Sequence, residues 1–133
     1  MGTVAELHCP QCGKKIRFSL GAGMLDYQRP WIKQQSQEAR EGKYGEAVQA
    51  AALRYPTADI TREEYLFRCS NCGNPEGGTL WEVKNMFGAV LLTIKPSCPR
   101  CGGKMTIVNP DKEGIKCPDC QTVMRSITIA LFD

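Results

Sequence analysis

Histidine is almost missing from this chain: His8 stands alone among 133 residues, next to Cys9. No serine, histidine and acid triad can be assembled without it. Its position suits a solvent-side neighbour of a metal turn better than a general base. The carboxylates are scattered and form no catalytic motif, and the sequence favours a non-catalytic protein over an enzyme. Long apolar runs are missing too. No stretch nears the roughly 18 residues a membrane span requires, so no membrane partner is expected. Met1 to Glu6 has neither a basic region nor an apolar core of a secretory signal, and the expected location is cytoplasmic. A lone Gly21-Ala22-Gly23 has no third glycine or downstream acid to make a nucleotide loop.

Cysteine is what the chain has. All eight fall in four C-x-x-C turns, at Cys9 and Cys12, Cys69 and Cys72, Cys98 and Cys101, and Cys117 and Cys120. Without a signal peptide, strict C-x-x-C pairing points to metal rather than disulfides. Each turn presents two sulfurs to one ion, and two turns complete a tetrahedron with Zn–S distances of about 2.3 Å. The third and fourth turns are 15 residues apart, a spacing that reads as one four-thiolate site. The expected pairing is sequential: Cys9, Cys12, Cys69 and Cys72 on one ion, Cys98, Cys101, Cys117 and Cys120 on the other. The alternative joins the second turn to the third across 25 residues and the first to the last. Metal loading also changes the charge. The formal +3 becomes −1 once eight thiolates and two divalent ions are counted, so global basicity argues for no nucleic acid.

The turns carry their own conformational signs. Pro10, Pro99 and Pro118 preset φ after the leading cysteine, and Gly13, Gly73 and Gly102 tolerate the positive φ that follows. Gln121 replaces glycine in the fourth turn. Backbone N–H groups in each turn are expected to donate to the sulfurs.

Between the turns, Val4 to Arg17 reads as strand, turn and strand, and Leu20 to Met24 as a glycine-assisted bend. Pro30 to Tyr55 reads as two helices, the first ending at Gly42 and the second starting near Gly45 and closed by Pro56. Tyr44, Val48, Ala51, Ala52 and Tyr55 form one helical face that should pack on a sheet. The first helix is more polar, with Trp31, Ile32 and Ala39 as anchors, and is expected to be the more exposed. Glu64 to Arg68 and Thr79 to Lys84 read as strands around a loop at Asn74 to Gly78. Ala89 to Lys95 is apolar on both faces, the mark of a central strand. The strand from about Thr122 to Phe132 exceeds the needs of one ribbon, and should pair with the first part of the chain, with Ala89 to Lys95 as the candidate neighbour.

The expected fold is α+β, mainly β and metal-stabilised. It comprises two zinc-ribbon lobes of short antiparallel strands, with residues 1–96 holding a helical insert at about 25–59, and residues 97–133 forming the second. The C-P-x-C-G turns resemble the knuckles of the zinc-ribbon and rubredoxin-like superfamily. The chain is also similar to small bacterial double zinc-ribbon proteins of unassigned function. The resemblance covers the turns and their flanking strands and implies metal without implying an activity. Two structural Zn2+ ions in a protein-interaction or adaptor module is the leading reading, with an unidentified protein partner. Iron in the same thiolates would make a rubredoxin-like electron carrier. A nucleic-acid-binding ribbon would use Lys14, Lys15, Arg17, Arg100, Lys104 and Lys116, with Phe18 for stacking, although Asp111, Glu113 and Asp119 interleave with the last bases.

Overall fold

A computed structural model describes residues 2–22 and 28–132, so Gly23 and Met24 of the expected bend lie outside the described residues. Among the described residues, seven strands and two helices follow in the order β1 (Gly2–His8), β2 (Lys15–Gly21), α1 (Arg29–Arg40), α2 (Glu46–Arg54), β3 (Asp59–Cys69), β4 (Pro75–Lys84), β5 (Val90–Ile94), β6 (Met105–Ile107) and β7 (Arg125–Phe132). The fold is mainly antiparallel sheet with two helices. The spatial order is β5-β4-β3-β2-β1-β7, with β6 also on β3. Among the described residues, no helix is long and apolar enough to cross a membrane.

β3 is the organising strand. Along one edge it pairs with β4 from Asp59↔Lys84 to Arg68↔Pro75. Its other edge is shared by three elements. β2 meets it at Gly21↔Glu64, β6 covers Phe67 to Cys69, and α1 covers the start. That start would otherwise leave main-chain groups unpaired. Gln35 Nε2 donates to the Ile60 carbonyl at 2.8 Å, and the Ile60 N–H donates to Ser36 Oγ at 2.9 Å. The polar helix is therefore docked by polar side chains, with Gln35, Ser36 and Ala39 all buried, rather than being the exposed element its composition suggests.

The second helix behaves as its periodicity predicts. Val48, Ala51 and Ala52 pack with Ala39, Ala58, Ile60 and Val83, flanked by Tyr44, Tyr55, Trp81, Leu92 and Ile94. Alternation along β3 sends Leu66 and Phe67 into different cores. Leu66 joins Ala5, Leu7, Phe18, Val108, Ile115 and Met124 around Cys9 and Cys117. Phe67 joins Leu80 and Met105 around Cys69 and Cys98.

Three strand expectations are corrected. Ala89 to Lys95 holds β5, an edge strand with Val90 and Leu91 exposed, because α2 covers only its inward face at Leu92 and Ile94. The final strand does pair with the first part of the chain, but its partner is β1, from Gly2↔Phe132 to His8↔Arg125, at the opposite edge from β5. Pro75 to Gly78 is strand rather than loop. The glycines there serve close approach: a Cβ on Gly77 would lie 3.0 Å from Phe18 Cβ and 3.1 Å from its Cα, so β2 can cross β4 only over a bare backbone.

Candidate metal centres

The four turns share one backbone design. The N–H of each leading cysteine donates to the carbonyl five residues on, at Lys14, Asn74, Gly103 and Thr122, over 2.9, 3.0, 3.0 and 2.8 Å. The N–H four residues on, at Gly13, Gly73, Gly102 and Gln121, donates back to the cysteine carbonyl over 3.1, 3.0, 2.8 and 2.9 Å. Closing this double bond requires a left-handed residue. Gly13, Gly73 and Gly102 have φ of 77°, 78° and 73°, and Gln121 follows them at 65°. The substitution in the fourth turn leaves its shape unchanged and places an L side chain where glycine costs least.

The turns come together in a nested order. Cys9, Cys12, Cys117 and Cys120 form one group and Cys69, Cys72, Cys98 and Cys101 the other, with all sulfurs of a group within 4.8 Å of one another. The sequential pairing is thus overturned. The pairing of β7 with β1 carries the fourth turn to the first, and the pairing of β6 with β3 carries the third to the second. Each group joins a long hairpin, β1–β2 or β3–β4, to a minimal one held by a single bridge, Lys116↔Val123 or Ser97↔Lys104.

Sulfur separations decide what such a group can hold. In the outer group, which joins the two ends of the chain, Cys9 and Cys120 are 3.2 Å apart, Cys12 and Cys117 3.6 Å, and Cys12 and Cys120 3.8 Å. In the inner group, Cys69 and Cys101 are 3.4 Å apart and Cys72 and Cys98 3.6 Å. A disulfide needs about 2.05 Å. A tetrahedron with metal–sulfur bonds of about 2.3 Å has edges of about 3.8 Å, and all eight cysteines are free thiols. Both groups can hold one metal ion each.

Main-chain and side-chain donors tune the sulfurs, as expected from the turn geometry. Cys12 N–H donates to Cys9 Sγ at 3.5 Å, and the N–H groups of Asn71 and Cys72 donate to Cys69 Sγ at 3.4 Å. The second cysteine of every turn faces the N–H two residues on, at Lys14, Asn74, Gly103 and Thr122. The Asn71 side-chain amide and the Gly103 N–H bring the Cys101 thiol down to about 6. The Thr122 hydroxyl and N–H do the same for Cys120, also to about 6. The N–H groups of Cys72 and Asn71 lower Cys69 against its burial. Crowding works the other way. The Lys14 N–H favours the Cys12 thiolate, but Cys9, burial, Cys117 and Cys120 outweigh it and push the thiol up to about 12. The Asn74 N–H is likewise outweighed at Cys72, which burial, Cys98 and Cys101 push up to about 11. Four thiolates in one tetrahedron repel, and a central cation removes that repulsion.

Other candidate residues are placed less suggestively. His8 Nε2 lies 2.9 Å from Glu6 Oε1 on the outer side of β1, which is the role of a neighbour to the turn. Lys14 pairs with Asp119 at 3.0 Å and Arg17 with Glu6 at 3.5 Å. Phe18 is only 3% exposed and packs in the core, so it is not a stacking residue. Lys15, Arg100, Lys104 and Lys116 make no ion pair among the described residues. Asn71, Gly103 and Thr122 went unnoticed in the sequence, where only the doubled glycine after Cys101 could have drawn attention. A Cβ on Gly103 would lie 3.0 Å from Cys69 Sγ and 3.2 Å from Cys101 Sγ.

No protein-family model matches the chain, and comparison with curated proteins and with solved structures finds no match.

Proposed function

We propose that the protein is a non-catalytic scaffold in which each four-cysteine group takes one Zn2+ and closes a zinc-ribbon-like unit built from nested hairpins. The supporting observation is the pair of sulfur groups with near-tetrahedral edges and donors aimed at the thiolates. Zinc with four thiolates has no open position, so it would serve structure rather than activate water. The same units would present the insert to a protein partner, through the outward polar side chains Lys33, Gln34 and Gln37 of α1 and Glu41 just after it.

Metal analysis of protein purified anaerobically from iron-replete cells tests the reading. Two zinc ions per chain and no visible absorption are the expected result. Two iron ions with thiolate-to-iron charge-transfer bands would replace it with an electron carrier. For the partner, changing Lys33, Gln34 and Glu41 together to alanine should abolish a pull-down signal while leaving metal content intact. An unchanged signal would remove the insert from the interface.

A further inference from the structure

β5 has the sequence of an interior strand and the position of an edge. From Val90 to Ile94 it carries no charge, yet Val90 is 48% and Leu91 41% exposed. The hydrogen-bond parity says what its free edge offers. Ile60 gives both its main-chain groups to Gln35 and Ser36, so its partner Val83 turns its own groups toward Leu92. The neighbouring Thr93 therefore points its N–H and C=O outward. Edges of this kind are usually blunted by charge, proline or a bulge. Here Lys95 and Pro96 come only after the strand ends, and the one register shift, between Val83 and Lys84, falls at Leu91 and leaves Leu92 to Ile94 regular.

The two ends of β5 are complementary. Before it, the hairpin tip presents Met86 and Phe87 at 86% and 87% exposure. The tip is held rigid: Asn85 Oδ1 accepts the Phe87 and Ala89 N–H groups at 2.9 and 3.0 Å, and Asn85 and Ala89 close the turn at 3.0 Å. After it lies a groove of about 400 Å³, lined by Thr93, Lys95, Pro96, Gly103, Met105 and Thr106 among others. An antiparallel partner strand runs tip to groove and groove to tip. Two-fold symmetry demands such reciprocity: what one copy inserts at one end it must receive at the other.

We propose that β5 is a self-association edge, at which a second copy of this chain adds its own β5 antiparallel. The Phe87 of each copy then seats in the groove beside Pro96 and Met105 of the other. Thr93 supplies the main-chain bonds, and the uncharged run Val90–Ile94 meets its equal without like-charge repulsion. The joined sheet gives Ala89 to Lys95 a strand on each side. Nothing in this depends on which metal the cysteines hold.

Sedimentation equilibrium of the metal-loaded full chain tests the proposal, with far-UV circular dichroism as the check on folding. A species of twice 14.7 kDa is expected. Phe87→Asp and Leu91→Lys should each weaken it about thirtyfold or more, as loss of an interface anchor does, while the spectra stay unchanged. Ile129→Lys in β7 should leave it intact. A monomer at millimolar protein, or a dimer lost only with Ile129→Lys, would overturn the proposal. So would a dimer indifferent to both β5 variants.

Discussion

The inner and outer cysteine groups have the same turns and nearly the same sulfur spacings, but they are braced differently. In the inner group the turns grip each other directly. Ser70 N–H donates to the Lys104 carbonyl at 2.9 Å, and Asn71 in one turn reaches Cys101 in the other. In the outer group the corresponding links are an exposed ion pair, Lys14 to Asp119, and a contact of 3.4 Å between Thr122 Oγ1 and Gln11 Oε1. Exposed pairs contribute little, about 0–1 kcal/mol. The inner group also sits at the end of β3, the strand that touches most of the fold, while the outer group ties two edge-side hairpins. The two groups are buried to a similar extent, so a centre braced by main chain and a clasp braced by side chains should answer perturbation unequally through their bracing.

The largest effect breaks the comparison at its root. Cys9→Ser combined with Cys117→Ser should cost one metal ion per chain under nested pairing, because both residues belong to the outer group. Loss of both ions, measured by mass spectrometry of the metal content, would restore the sequential scheme. Cys98→Ser should also remove one ion, but with a larger fall in melting temperature than Cys117→Ser, since the directly bonded inner turns hold their ion more tightly and so draw more stability from it. Equal falls would mean that the bracing difference has no energetic weight.

Next comes Gly103→Ala. Its Cβ would press on two sulfurs of the inner group, and a tight core tolerates such additions at a cost of about 1–3 kcal/mol. The equivalent position in the outer group is Thr122, which already carries a side chain. Thr122→Ala should only loosen its ion, by about tenfold, through loss of the hydroxyl at Cys120. Competition with a chromophoric chelator measures both. A silent Gly103→Ala would show that the inner turns are less tightly packed than their contacts indicate.

Acid should separate the two groups. Metal binding requires thiolates, so a thiol with a lowered pKa resists proton competition further as pH falls. The inner group has two such sulfurs, Cys69 and Cys101, the latter at about 6. The outer group has one, Cys120 at about 6, and each group has a raised thiol, Cys72 at about 11 in the inner and Cys12 at about 12 in the outer, so the lowered Cys69 makes the difference. On acidification, Cys98→Ser protein, which keeps only the outer group, should release its ion at a higher pH than Cys117→Ser protein. The reverse order would mean that the amide donors of Asn71 and Gly103 do not govern the inner site.

Much of this was written locally. The eight cysteines, the turn geometry, the two helices and the face of α2 follow from spacing and period, and the structure repeats them. The pairing of turns was not local. By loop-closure entropy the sequential scheme is cheaper than the nested one by only about 1 kcal/mol. Burying a single leucine such as Leu7 contributes about 1.5–3 kcal/mol. The register of β7 on β1 could therefore reverse the preference, and no short motif encodes that register. β5 misled for a related reason. A strand's apolar content reports how it is covered, and the helix that covers one face of β5 lies far from it in sequence. The docking of α1 was hidden because Gln35 and Ser36 look like surface residues until the free edge of β3 is beside them.

The smallest effect concerns the one feature where the outer group departs from the shared turn design. Gln121 holds a φ of 65°, the conformation that Gly13, Gly73 and Gly102 adopt in the other three turns. The left-handed region costs an L residue about 1–2 kcal/mol, and glycine gives back part of that gain through the freedom it adds to the unfolded chain. Gln121→Gly should therefore stabilise the protein by about 0.5–1 kcal/mol, read as a higher melting temperature with unchanged metal content. Gly102→Gln in the inner group should destabilise it by a comparable amount, because a Cβ there meets no atom within 4 Å and the left-handed backbone carries the cost. If Gln121→Gly instead weakened the outer ion, the glutamine side chain would be bracing the clasp. The contrast between the two groups would then be smaller than their hydrogen bonds suggest.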